Sequence, residues 1–423
     1  MNDLIIKGGR VIDPSQNLDD ITDVLISAGR VESIGGNMPS EAEVIDARGK
    51  VVCPGFIDLH CHLRQPGYEQ KETIATGARA AARGGFTTVC CMPNTSPAMD
   101  NLAIVEYVKT IAEKEAVVRV LPVGCITRGR NGGELADMQE VAGAGVVGFS
   151  DDGSYVNDPR LMRRAMEYSL PTGLPIIQHC EDPSLSADGV MNDGIIATRL
   201  GLCGVPNAAE EVAVARDIIL AELTGARLHI AHVSTAGSVE LIRQAKKRGV
   251  KVTCEATPHH LTMTEERVLG YNTNAKVNPP LRTRNDVDAL IEGLKDGTID
   301  IIATDHAPHT LNDKLCEFGN AASGISGLET ALGSLLALVH SGKLELSLLI
   351  AKLTAEPAKI LGKPFGMLAV GAAADITIID MDAEWVVYAG KFASMGKNTP
   401  LDGEKLKGMV IATIFGGKIV YQE

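Results

Sequence analysis

The chain reads as an α/β protein, a (β/α)8 TIM-like barrel that carries a small β unit built from both chain ends. Three observations predict this. Short β-type runs alternate with longer stretches of helical spacing through the middle of the chain, the mark of a parallel sheet. Eight such runs can be distinguished, and eight parallel strands close a barrel. A hairpin rhythm at the start of the chain returns at its end. With 423 residues there is room for one barrel and an appendage rather than several ordinary domains. The expected partition is 1–54 for the N-terminal part of the small β unit, 55–362 for the barrel and 363–423 for the C-terminal part.

In chain order, the apolar runs at 4–7, 24–27, 31–34 and 51–52 are broken by Gly8-Gly9, Asp13-Pro14, Ala28-Gly29 and Gly35-Gly36, as β-hairpins are. The barrel strands are expected at 56–60, 86–91, 117–123, 145–150, 175–179, 227–232, 250–255 and 299–304. Helical spacing follows them, clearest at 72–83, 102–114, 208–223, 239–248 and 287–294, with Gly84-Gly85 and Gly297 as helix stops. The runs at 375–380 and 413–420 then repeat the opening, down to the echo of Gly8-Gly9-Arg10 in Gly416-Gly417-Lys418. A doubly wound open sheet would show the same alternation. The first barrel strand, however, is followed by no Gly-x-Gly-x-x-Gly turn, and the chain has no Gly-x-x-x-x-Gly-Lys.

A formal net charge of −13 argues against nucleic-acid and anionic-membrane surfaces, so a bound anion must be held by a few placed cations. The opening residues read as strand and turn, with no basic leader, cleavage site or membrane-length apolar run, and the protein is expected in the cytoplasm. Nine scattered cysteines without a CxxC pair read as reduced thiols, mostly filling core space.

Chemistry gathers where the strands end. The first barrel strand stops in Asp58-Leu59-His60-Cys61-His62-Leu63-Arg64-Gln65-Pro66-Gly67. On a strand His60 and His62 face the same side, roughly 6–7 Å apart along the backbone, close enough to share a cation. The fourth strand ends in Asp151-Asp152-Gly153, the fifth in His179, the sixth in His232 and the eighth in Asp305-His306-Ala307-Pro308-His309. Taken alone, Asp151-Asp152-Gly153 is a turn. A barrel, however, projects all these positions into one bowl at its C-terminal face. His60, His62, His179, His232, a carboxylate of the Asp151-Asp152 pair and Asp305 make six metal-competent groups at equivalent places. Imidazole and carboxylate without thiolate suit zinc, with manganese or cobalt as substitutes. Six ligands exceed one tetrahedral site, whereas two metals about 3.5–4 Å apart, bridged by hydroxide, use them all. Asp305 could carry a proton to a leaving nitrogen while touching a metal.

These residues, together with Met92-Pro93-Asn94-Thr95, Thr257-Pro258-His259-His260-Leu261, Lys276-Val277-Asn278-Pro279-Pro280-Leu281-Arg282 and Gly396-Lys397-Asn398-Thr399-Pro400, resemble the bacterial class I dihydroorotases of the amidohydrolase superfamily, from about residue 4 to Gly417. The resemblance implies a barrel with two zinc ions per subunit and a small β-sandwich formed from both chain termini. His60, His62, Asp152 and Asp305 would hold one metal, and His179, His232 and the shared Asp152 the other. Asp305 would be the catalytic proton carrier. Arg64, Asn94 and His309 would hold the substrate carboxylate, and Asn278 with the backbone near Ser323-Gly324 the pyrimidine ring. The activity so implied is reversible hydrolysis of (S)-dihydroorotate to N-carbamoyl-L-aspartate in pyrimidine biosynthesis. A homodimer is expected from the family, and association with aspartate transcarbamoylase stays open. The role implied for Arg64 makes chemical sense, since a planar guanidinium can grip a carboxylate bidentately in an acidic protein; without the resemblance Arg64 reads as a surface salt-bridge residue and Asn94 as a turn residue.

Other histidines carry plainer expectations. His306 supports by hydrogen bonding, and His259 and His260 brace the loop after the seventh strand. His229, three residues before His232, faces the opposite side of its strand, and His340 caps a helix end. Gln65 and Ala321-Ala322-Ser323-Gly324 depart from the family pattern and bear on the substrate loop. Hydantoinases, dihydropyrimidinases and allantoinases are the nearest rivals, and they resemble one another in bridging their metals with a carboxylated lysine from the fourth strand. Residues 145–152 contain no lysine, so Asp152 would have to bridge. A second rival is the inactive dihydroorotase-like scaffold of aspartate transcarbamoylase, which has lost metal ligands. All six proposed ligands are present here.

Overall fold

Seven of the eight expected barrel strands form as regular strands in the computed structural model, which describes residues 3–36, 39 and 42–423; Met1 and Asn2, where the N-terminal unit was expected to begin, lie outside them. The first three, Phe56–Cys61, Phe86–Cys91 and Arg119–Pro122, pair in parallel. Ile176–Gln178, Leu228–Ile230, Val252–Ala256 and Ile301–Ile302 form a second parallel set. The fourth position differs from expectation, because residues 145–150 make no regular strand. They lie between the two sets through single bridges from Phe149 to Gly124 and to Ile176. Val147 and Phe149 donate instead to the carbonyls of Pro122 and Pro175. Both partners are prolines and can return no N–H, so a continuous ladder cannot form. Closure comes where His62 N donates to His306 O at 2.8 Å, beside the Cys61 to His306 bridge.

Alternation sorts the side chains. Ile57, Leu59, Val123, Ile177 and Ile301 fill the barrel interior, while Phe56, Phe86, Ile176, Leu228 and Ile230 pack outward beneath the helices. The helices begin where a side chain can cap them. Thr73 and Thr283 form capping boxes for Ile74–Arg83 and Arg284–Lys295, and Asn101 and Thr235 cap Leu102–Glu115 and Ala236–Lys247. The expected stretch at 208–223 is the helix Asn207–Thr224.

Both chain ends build one eight-stranded sheet, in which Val51–Pro54 pairs with Leu4–Asp13 on one side and Ile376–Val386 on the other. Its inner face encloses an apolar core shared by Ile6, Val24, Val31, Ile376 and Ile414. Val52 points into that core, whereas Val51 and Cys53 point into the barrel's outer layer, so one short strand welds the two units. Between Ile376–Val386 and Lys405–Phe415 the chain leaves this sheet. Val387, Phe392 and Leu401 instead pack against Val277, Phe318 and Ile325 at the barrel mouth. All nine cysteines are free and seven are buried. Among the described residues, no helix is long and apolar enough to cross a membrane.

Candidate metal centre

The barrel's interior strands deliver six side chains to one buried cluster at the C-terminal mouth. A register shift between Asp58 and Cys61 interrupts the first ladder, so Leu59 faces the apolar interior while the next residue, His60, also turns inward. His232 and Asp305 leave their strands with φ of +33° and +46°. Such conformations are costly for residues with a Cβ and concentrate at functional sites.

Asp152 is the hub. Its Oδ1 lies 3.3 Å from His60 Nε2, 3.5 Å from His232 Nε2 and 3.8 Å from His179 Nδ1, and its Oδ2 lies 3.5 Å from His62 Nε2. Asp305 Oδ1 is 3.1 Å from His62 Nε2 and 3.5 Å from His60 Nε2. The far ring nitrogens set the tautomers. His60 Nδ1 donates to Glu255 Oε1 at 2.6 Å, His62 Nδ1 to Asn94 Oδ1 at 2.8 Å, and His179 Nε2 to Glu181 Oε2 at 3.0 Å. Loss of the proton from the facing nitrogens, His60 Nε2, His62 Nε2 and His179 Nδ1, would leave three lone pairs for a cation at the centre. Burial opposes ionisation of Asp152 and Asp305, but the surrounding imidazoles outweigh it and hold both carboxyls below their usual range.

A cation fits this donor set. His60 Nε2 and Asp152 Oδ1 are buried without any hydrogen-bond partner, a costly condition that a metal would relieve. Ligand atoms of His60, Asp152 and His232, and of His60, His62 and Asp305, come within 4.8 Å of one another. The clusters are consistent with a metal cofactor held by nitrogen and oxygen. These groupings are not the expected ones: His60, rather than Asp152, belongs to both, and His179 lies outside them, 2.9 Å from His232.

A cavity of about 210 Å³ opens over the cluster and is lined by the remaining expected residues, Arg64, Asn94, Asn278, His309, Ser323 and Gly324. Arg64 is half-buried and donates to Pro308 O at 3.3 Å. His309 Nε2 donates to Ser323 O at 2.9 Å; burial, with Arg64 and Lys71 nearby, pushes its pKa down to about 3, so the ring is neutral. Asn278 Nδ2 donates to Glu181 Oε2 at 2.7 Å, tying the cavity wall to the carboxylate that orients His179.

Two carboxylates that sequence reasoning missed organise the centre. Glu255, at the end of the seventh strand, accepts from His60 Nδ1, from His229 Nε2 at 3.0 Å and from His232 N at 3.3 Å. The strand-end signal that marks Asp152 and Asp305 also marks Glu255. Glu181, two residues past His179, has the same sequence signature as His62 after His60. One expectation is corrected. His229 does not face away from His232 but points into the barrel interior with Leu59 and Ile177, because the left-handed turn at His232 swings that ring back to the same side. His306 and His260 behave as supports, His306 Nδ1 accepting from Gly327 N at 3.1 Å and His260 Nε2 donating to Pro279 O at 3.0 Å. His340 ends the helix Ala331–His340.

An eight-position barrel with histidines and aspartates at its mouth is the architecture of a metal-dependent hydrolase, and the solved structures it resembles are hydantoinases and dihydropyrimidinases. The fold matches an L-hydantoinase (dihydropyrimidinase) from Arthrobacter aurescens at TM-score 0.89 and 29% identity, covering 100% of this chain and 96% of that one. A D-hydantoinase matches at TM-score 0.87 and 25% identity over 100% and 96%. Among curated relatives, a dihydroorotase of Pelotomaculum thermopropionicum is 56% identical over 422 residues, and one of Geobacter sp. (strain M21) 54% over 421, each alignment covering 99% of both chains. A family model described as dihydro-orotase-like matches residues 49–238. The chain belongs to the dihydroorotase family.

Proposed function

We propose that the chain is a dihydroorotase that interconverts (S)-dihydroorotate and N-carbamoyl-L-aspartate, with residues 55–362 as the catalytic barrel and 1–54 and 363–423 as the small β unit. The carrying observation is Asp152, which ends a lysine-free segment and lies within 3.8 Å of all four imidazoles. That supports a pair of zinc ions that His60, His62, Asp152, His179, His232 and Asp305 would hold, with Asp152 in the place of a lysine. When bound, the metals would polarise the scissile carbonyl and supply a water nucleophile at neutral pH.

The chain's own residues account for the rest. Arg64, Asn94 and His309, which line the cavity, would take the substrate carboxylate, and Asn278 with the backbone at Ser323-Gly324, in the same lining, the ring. Asp305 is held ionised and can accept the proton released by the attacking water. It then gives that proton to the ring nitrogen as the C–N bond breaks, and the reverse path closes the ring. The family reading also expects a cytoplasmic homodimer; sedimentation, alone and mixed with aspartate transcarbamoylase, tests both self-association and that partnership.

A second reading, hydantoinase or dihydropyrimidinase action, draws on the close structural likeness to those enzymes. Turnover of dihydroorotate measured beside hydantoin and dihydrouracil separates the two. Strong preference for the charged ring is expected; comparable rates on the uncharged rings would refute the dihydroorotase reading.

A further inference from the structure

The Gly396-Lys397-Asn398-Thr399-Pro400 motif lies far from the barrel strands in sequence, and nothing in the proposed reaction uses it. It sits in the excursion that leaves the terminal sheet after Ile376–Val386. Two buried or half-buried glutamates tether the start of this strap. Glu329 accepts from Ala393 N and Ser394 N, both at 3.1 Å, and Glu72 accepts from Met395 N at 3.2 Å and from the Ser394 hydroxyl. Lys397 Nζ folds back to the carbonyls of Phe392 and Ser394 and closes the turn. At Gly396 the strap presses so closely on the barrel that a Cβ would stand 2.4 Å from Pro308 Cβ and 2.6 Å from Ser326 Oγ. No residue other than glycine allows that approach.

The approach delivers Asn398. Its side chain is 3% exposed and uses all four of its hydrogen-bonding positions. Oδ1 accepts from His309 N and from Ser326 Oγ, each at 2.9 Å. Nδ2 donates to Ala307 O at 3.0 Å and to Gly324 O at 2.9 Å. Its own carbonyl accepts from Ser326 N at 2.9 Å. One amide thus clamps two loops of the barrel mouth, 307–309 and 324–326. These carry His309 and Gly324, both of which line the cavity, and they meet again where His309 Nε2 reaches Ser323 O. Asn398 touches none of the four imidazoles or two aspartates of the metal cluster. Its bonds run to the substrate-facing loops.

We infer that Asn398 is a positioning residue for substrate, supplied by the C-terminal strap, which sets the distance between the His309 carboxylate contact and the Ser323-Gly324 ring contact while leaving the metal centre alone. The inference rests on the dihydroorotase reading above. It deepens that reading by making the C-terminal segment a part of the substrate site.

The test uses the full-length, zinc-loaded protein and dihydroorotate. Asn398→Ala should raise KM about tenfold, the effect expected when a net hydrogen bond to a binding loop is lost, with kcat within about threefold of the parent. Metal content by elemental analysis should be unchanged. Asn398→Asp is the isosteric companion. It keeps the acceptors for His309 N and Ser326 Oγ, loses both donors and sets a negative charge against two carbonyls, so its KM should rise at least as far, again without metal loss. A merely structural role would lower kcat, metal content and Tm together, and that result, or an unchanged KM in both variants, overturns the inference. Failure of both variants to fold overturns it as well, since Asn398 would then be a folding determinant. If the parent protein itself does not turn over dihydroorotate, the functional reading has failed; if it does and the variants show no KM effect, only the role of Asn398 has failed.

Discussion

Asp305 leaves its strand in a left-handed conformation with its carboxylate 3.1 Å from His62 and 3.5 Å from His60. Replacing it by asparagine keeps the shape and removes both the charge and the proton acceptor. Asp305→Asn should therefore lose at least about 10²-fold in turnover, in the range of a general base, measured in both directions from either substrate. His309 offers a pH test. Its folded pKa, about 3, lies below its ordinary 6.5, so between those values the unfolded chain binds a proton that the folded chain refuses. The stability this buried neutral ring contributes is complete above about pH 6.5 and is lost as pH falls toward 3. Denaturant titrations from pH 7 to 4 should show a shallower decline for His309→Gln than for the parent; parallel curves would show that this ring does not contribute to the decline.

At the level of elements, the turn after the first barrel strand shows how local chemistry protects the site. Gly67 has φ of +93°, and a Cβ there would stand 2.1 Å from the carbonyl oxygen of Ser96. Gly67→Ala must push apart two backbones behind Arg64. It should cost more than about 1 kcal/mol by thermal or urea unfolding and weaken substrate binding through Arg64. The regular elements were legible because their causes are local. Phe86–Cys91 matches its apolar run, and helix starts follow Thr73, Asn101, Thr235 and Thr283. The fourth barrel position was not, since Pro122 and Pro175 deny it a ladder only once they become its neighbours in space. His229 was misread for a similar reason. Alternation holds only while the backbone stays extended, and His232 does not.

Over the whole molecule, burial and charge fit the centre to a cation. Asp152 and Asp305 sit among four imidazoles, and two of the cluster's buried polar atoms, His60 Nε2 and Asp152 Oδ1, are unpaired. Metal removal with a strong chelator should abolish activity and lower Tm, because an ion that binds only the folded state adds stability in proportion to the logarithm of its concentration over Kd. Zinc should restore both, and elemental analysis should approach two ions per chain; a metal-free sample with full activity would refute the metal-centre reading. By itself the sequence determined the barrel, the terminal β unit, the six metal-competent residues and the lack of a lysine in residues 145–152. Each of these follows from side-chain periodicity, turn chemistry or residue type at a strand end. Only the tertiary structure decided that Asp152 is the hub, that Glu255 and Glu181 pair with the far nitrogens of His60 and His179, and that Asn398 clamps the loops 307–309 and 324–326. Those roles belong to pairs up to 195 residues apart, such as His60 with Glu255, and a hydrogen bond across that separation exists only after the strands have closed around a common axis.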